Sequence, residues 1–154
     1  MLHNHFQNAY VTRDLEYAIA LFRDNCGLGD VIHFEPDLEV MTPDGIRRST
    51  TRAALGWIDD HFLIELIQPV SGTVDIYSDF LPEDRQPRFH HSAMRCHDWE
   101  EARRRVLEKG WTIAVEHHMP EGLNFMYVDA RPTLGHYLEY IWATPEMWKH
   151  MGGQ

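Results

Sequence analysis

Cysteine is nearly absent. Cys26 and Cys96 are the only two in 154 residues, too few for a disulfide framework and without the spacing of a thiolate metal site. Basic residues are scarce as well: 14 Lys and Arg stand against 24 Asp and Glu, a net charge of −10. Nucleic acid and anionic membrane surfaces both need a basic patch, so neither is an expected partner. The one basic run, Arg103-Arg104-Arg105, falls in a helical pattern and reads as a solvated face. No apolar run is long enough to span a bilayer, and Met1-Leu2-His3-Asn4-His5 lacks the charged and apolar regions of a secretory leader. The expectation is a cytoplasmic protein. No low-complexity stretch interrupts the chain, and 44% hydrophobic residues supply a core for a single domain over residues 1–154.

What the chain does contain is a repeat. Gln7-Asn8-Ala9-Tyr10-Val11-Thr12-Arg13-Asp14 leads into an amphipathic helix pattern, and His91-Ser92-Ala93-Met94-Arg95-Cys96-His97-Asp98 does the same. Each sets an Asp seven residues after a side chain able to hold a metal. Each half then closes on an apolar run with one carboxylate, Phe62-Leu63-Ile64-Glu65-Leu66-Ile67 and Tyr137-Leu138-Glu139-Tyr140-Ile141-Trp142. A duplicated unit with one coordinating side chain at each matching place predicts a pseudo-symmetric site for a single metal ion.

Periodicity and punctuation give the elements, with boundaries good to about 2–4 residues. Residues 5–12 alternate as a strand does, and Asp14 caps a helix with Leu15, Ala18, Ile19 and Phe22 on one face, ended by Gly27. Strands follow at about 30–41, 46–57 and 61–68, the first two joined by the turn Pro43-Asp44-Gly45. From Phe89 the pattern restarts: Asp98 caps a helix with Trp99, Ala102 and Val106 inward and Gly110 past its end. Strands then fall at about 111–118, 123–130 and 136–142. The order is βαβββ twice, with module one at about 5–69, a connector at about 70–88, module two at about 89–142 and a tail at 143–154 whose Trp148 can pack back on the body.

Strand alternation sorts side chains by face. Gln7 goes with His5, Ala9 and Val11; Glu65 with Leu63 and Ile67; Glu139 with Tyr137 and Ile141. His91 goes with Phe89 and Ala93, which puts His90 on the opposite face. The alternate positions Phe62, Ile64, Leu66 and Leu138 are apolar too, so both carboxylate-bearing strands are expected to be covered on both sides. A buried carboxylate is costly unless paired, protonated or metal-bound. The residues alone leave Glu65 and Glu139 open between metal ligation and pairing with an unseen Arg. Gln7 stays open between ligand and hydrogen-bonded core amide, with His5 as its substitute and His90 as the neighbour that could replace His91. His33, His61, His97, His117, His118 and His136 read as surface or supporting groups, Phe89, Tyr137 and Trp142 as core or pocket wall, and Glu35 and Glu39 as spare bases.

The double βαβββ order, with Ile64-Glu65-Leu66-Ile67-Gln68-Pro69 and Phe89-His90-His91-Ser92-Ala93, resembles the vicinal oxygen chelate superfamily over about residues 5–142. That superfamily includes glyoxalase I, methylmalonyl-CoA epimerase, extradiol dioxygenases and bleomycin-resistance proteins. The resemblance implies an α+β fold in which two modules build a cupped, eight-stranded mixed sheet. It also implies metal ligands Gln7, Glu65, His91 and Glu139, a set similar to that of zinc-type glyoxalase I. One divalent ion per site follows, zinc first, with nickel, cobalt, manganese or iron as alternatives. By the same resemblance Glu139 is the catalytic base and Glu65 its partner, moving a proton next to a metal-chelated carbonyl of a small 2-oxo or 2-hydroxy acid derivative or thioester. That makes the chain an isomerase, epimerase or lyase and a homodimer. Val11 and Pro69 stand where glyoxalase I has Arg and Asn, so the resemblance does not extend to glutathione. The rival readings are an iron-dependent ring-cleavage dioxygenase and a non-catalytic module that binds an aromatic or hydrophobic ligand.

Overall fold

Two aspartates start the two long helices as expected. Asp14 is extended and accepts a hydrogen bond from the Tyr17 amide at 3.0 Å, opening α1 (Leu15–Cys26). Leu15, Ala18, Ile19 and Phe22 are its buried face, and Gly27 ends it in the left-handed region at φ 72. Asp98 accepts from the Glu101 amide at 2.9 Å and opens α3 (Trp99–Glu108), which buries Trp99 and Val106. The computed structural model describes residues 2–72 and 75–154.

Around these helices run β1 (His5–Val11), β2 (Ile32–Phe34), β3 (Asp37–Thr42), β4 (Gly45–Trp57), β5 (Leu63–Gly72), β6 (Arg88–Arg95), β7 (Ile113–His118), β8 (Leu123–Val128) and β9 (Tyr137–Ala143). Short helices α2 (Asp75–Ser78), α4 (Arg131–Leu134) and α5 (Pro145–His150) lie in the connector, before β9 and in the tail. The strands make one mixed sheet in the order β4-β3-β7-β8-β9-β6-β1-β5, and β5 pairs back onto β4 to close it. β2 pairs with β4 at Ala53–Leu55, in line with β3, which pairs with residues 45–50 of the same strand. Nine strands thus fill eight places.

The continuous strand expected at about 30–41 is broken because Pro36 has no N–H to give to a ladder; its carbonyl accepts from Thr51 instead, at 3.0 Å. β5 runs past its expected end to Gly72. Pro69 is accommodated there at a register shift between Thr50 and Thr51 of β4.

Both faces of the sheet are covered, as the apolar alternate positions required. Inside the closed sheet lie Ala9, Val11, Leu63, Ile67, Ala93, Phe125, Tyr137 and Ile141. Outside, α1 covers Ala54, Ile64 and Leu66, and α3 covers Met126, Val128 and Leu138. Trp148 does pack back on the body: α5 sets its ring 5.0 Å from Phe6 and 5.9 Å from Trp57, with the Arg95 guanidinium 3.9 Å above it. Arg103, Arg104 and Arg105 are spent in ion pairs with Glu116, Glu101 and Glu108, a solvated face as read from the sequence. Among the described residues, no helix is long and apolar enough to cross a membrane.

Candidate metal centre

β1 and β6, the first strand of each module, lie side by side and antiparallel, with Ala9 opposite His91 and Gln7 opposite Ala93. Each also pairs in parallel with the last strand of its own module, Ala9 with Glu65 and Ala93 with Glu139. The register is therefore the same in both halves, and a pseudo-two-fold axis runs between β1 and β6. Ala9 and Ala93 are fully buried, and their single methyl groups leave room for the four longer side chains around them.

Those four meet within one chain. Gln7 Nε2 donates to Glu65 Oε2 at 2.8 Å and lies 3.5 Å from Glu139 Oε2 and 3.4 Å from His91 Nε2. His91 Nε2 is 3.0 Å from Glu139 Oε2 and 3.5 Å from Glu65 Oε2. The donor atoms of Glu65, His91 and Glu139 all lie within 4.8 Å of one another. His91 is wholly buried, the Glu139 side chain is 6% exposed and that of Glu65 18%, so Glu65 is the most open of the three. Gln7, Glu65 and Glu139 line a cavity of about 390 Å³ inside the sheet.

The charges explain one another. Burial works against a protonated His91, but the Glu139 and Glu65 carboxylates outweigh it and raise the imidazole to about 9. Burial raises Glu139 above the usual carboxylate range, and His91 pulls it back. Burial, aided by His91, keeps His90 well below the ordinary imidazole value. His90 Nε2 lies 2.7 Å from the Ile76 carbonyl, to which only an N–H can donate. A neutral His90 therefore accepts at Nδ1, 2.8 Å from His91 Nδ1. This fixes the His91 tautomer and turns Nε2 toward the carboxylates, the arrangement that a metal-binding imidazole requires.

Two bulges correct the face assignments. A register shift between His5 and Gln7 turns His5 out of the site. His5 is exposed, with Nε2 2.9 Å from Asn8 Oδ1, and Phe6 takes the inner place against Trp57 and Trp148. A second shift, between Ala9 and Tyr10, leaves His90 as the extra residue of β6. His90 is consequently buried on the same side as His91, not opposite, stacked 5.0 Å from Tyr137. Phe89 is turned away, against Tyr10 and His136.

Tyr77 and Tyr127 belong to the site and were missed. The Tyr127 hydroxyl draws Glu139 down in pKa, and the Tyr77 hydroxyl donates to the Tyr127 hydroxyl at 3.2 Å. Burial pushes both phenols above their ordinary value, so both stay protonated donors. Alternation on β8 could have found Tyr127, which shares a face with Phe125. Tyr77 comes from the connector, where no periodicity speaks. Glu35 lines the mouth of the cavity with its side chain 80% exposed and 3.7 Å from Arg52, while Glu39 is exposed and does not line it. Among the other histidines, His33, His61, His97 and His118 are exposed, and His117 lines the cavity wall.

The donor set suits a divalent cation. Two carboxylates offset its charge, an imidazole with a fixed tautomer adds nitrogen, and Gln7 can turn its amide oxygen inward, since its amino group now satisfies the same carboxylates.

The family model of the glyoxalase/bleomycin resistance protein/dioxygenase superfamily matches residues 6–127. The chain belongs to this superfamily. Among curated protein sequences there is no match. Solved structures resemble this superfamily member in fold. Methylmalonyl-CoA epimerase from Mycobacterium tuberculosis aligns with a TM-score of 0.70 at 17% identity, over 95% of this chain and 91% of that one. A hypothetical protein from Bacillus halodurans gives 0.65 at 17%, over 91% and 94%. A Streptomyces coelicolor methylmalonyl-CoA epimerase variant in complex with 2-nitronate-propionyl-CoA gives 0.64 at 16%, over 92% and 97%.

Proposed function

We propose that this superfamily member is a metal-dependent isomerase, epimerase or lyase. It moves a proton on the carbon beside the carbonyl of a small 2-oxo or 2-hydroxy acid derivative or thioester. The observation that carries the reading is the meeting of Gln7, Glu65, His91 and Glu139, two from each module, on the wall of one cavity. These residues would hold one divalent ion, zinc by preference, with nickel, cobalt, manganese or iron as alternatives. Such an ion, when bound, polarises the carbonyl and offsets the negative charge that grows on its oxygen as the proton leaves.

Glu139 is the base. Its burial lifts its proton affinity toward neutrality, which suits a group that takes and returns a proton. Tyr127, on the same cavity wall, favours its ionised form and so tempers the effect of burial. For inversion Glu65, more open to the cavity, would have to enter the reaction protonated and give that proton to the substrate's other face, while Glu139 keeps the one it took. Return to the same carbon from that face inverts it, and return to the neighbouring carbon isomerises the substrate. The resemblance also leads us to expect a homodimer, and the four proposed ligands come from one chain.

The test is elemental analysis of tag-free protein beside a Glu65→Ala/Glu139→Ala variant, with solvent deuterium entry into a 2-hydroxy acid thioester followed by mass spectrometry. About one ion per chain is expected in the wild type and none in the double variant. Glu139→Gln should slow deuterium entry by about 10²–10⁴-fold. Unchanged metal content and exchange in Glu139→Gln would sink the proposal, and oxygen consumption with a catechol under iron loading would replace it with ring cleavage.

A further inference from the structure

The cavity joins one polar place to a long apolar wall. Gln7, Glu65 and Glu139 stand together, with the Tyr77 and Tyr127 hydroxyls beside them. The rest of the wall is mainly hydrocarbon and sulfur, as at Phe34, Leu38, Leu55, Phe125, Met147 and Met151. Among the described residues, no Lys or Arg lines it. Alternation on β4 explains why: Thr51 and Ala53 face inward, so Arg52 between them faces out, toward Glu16 at 3.8 Å and Glu35 at 3.7 Å. The other ionisable lining groups are Glu35 at the mouth and the imidazoles of His117 and His150. His117 lies with Nδ1 3.1 Å from the Glu39 carbonyl, and the His150 ring packs 5.7 Å from that of Phe34.

We infer that the substrate is an uncharged, largely apolar molecule whose one polar end is the pair of oxygens presented to the metal, and that the cavity rejects a second anionic group. The inference rests on the metal-centre reading above. The two carboxylates neutralise a divalent ion, so no positive charge is left over for a distal carboxylate or phosphate. Such a group would lose its hydration inside an apolar wall and meet no cation in return. An apolar body gains from the same wall, and a space of about 390 Å³ suits a molecule of one or two rings. Any acid function of the substrate is therefore either on the metal or masked as an ester, amide or thioester.

Two ligand pairs test this on the full-length protein. The first is benzohydroxamic acid against 4-carboxybenzohydroxamic acid, titrated calorimetrically into zinc-loaded protein. Both present the same two oxygens and differ by one distal carboxylate. The second is 2-naphthol against 6-hydroxy-2-naphthoate, followed by tryptophan fluorescence in chelator-stripped protein, where no metal takes part. The uncharged member of each pair is expected to bind at least about 100-fold tighter. Equal or tighter binding of the carboxylated member in the second pair, or no binding of 2-naphthol, overturns the inference. If zinc makes no difference to benzohydroxamic acid, the metal-centre reading fails instead, and the naphthol pair still decides the character of the cavity.

Discussion

At His91 the proton that a cation must displace sits on Nε2, 3.0 Å from Glu139 and 3.5 Å from Glu65. Because the imidazole is raised from 6.5 to about 9, the folded protein holds that proton more tightly than the unfolded chain does. Its stabilisation is fully present below about pH 6.5 and is lost as pH rises through about 9. Metal-free protein should therefore lose urea resistance between pH 6 and pH 9.5, and His91→Gln should flatten that part of the profile. Metal affinity runs the other way over the same range, because fewer protons remain to be displaced. Tyr127 lines the cavity and lowers the proton affinity of Glu139. Tyr127→Phe should cost about 1 kcal/mol of stability and shift the pH–rate profile, with metal content measured alongside to show that the ligands remain.

Among the elements, the helices were legible because an Asp cap, a 3.6-residue apolar period and a left-handed glycine agree on the same limits. The carboxylate-bearing strands were legible because a lone Glu in an apolar run has few explanations. Parity failed at His5, His90 and Phe89, where one extra residue in a strand reverses the faces, and nothing in a single strand's own pattern marks a bulge. Pro36 did mark the break between β2 and β3, since it cannot donate to the ladder. Closure of β5 on β4 was not legible, because it depends on a long-range register ending at Gly72. There φ is 80, and an added Cβ would meet the Arg48 carbonyl oxygen at 2.1 Å. Gly72→Ala should cost about 1–3 kcal/mol, seen as a lower melting temperature.

For the whole molecule, a cation bound to the native state alone shifts folding by mass action. Zinc at about 100 times its dissociation constant should add about 2.7 kcal/mol, and the Glu65→Ala/Glu139→Ala variant should show none of it. The same register repeats in both modules, Ala9 with Glu65 and Ala93 with Glu139, and that repetition carried the site from sequence to structure. The cavity wall did not carry over, since its members come from eight strands, the connector and the tail.

The seam between β1 and β6 divides the ligands evenly, Gln7 and Glu65 on one side, His91 and Glu139 on the other. A cation held there is a clasp across the two halves, and parting the strands strips it of two ligands at once. Its residence time and the breathing of this strand pair are then a single linked equilibrium. A substitution that loosens the β1–β6 pairing far from the ligands would then release such a cation, although every proposed coordinating atom is still in the chain.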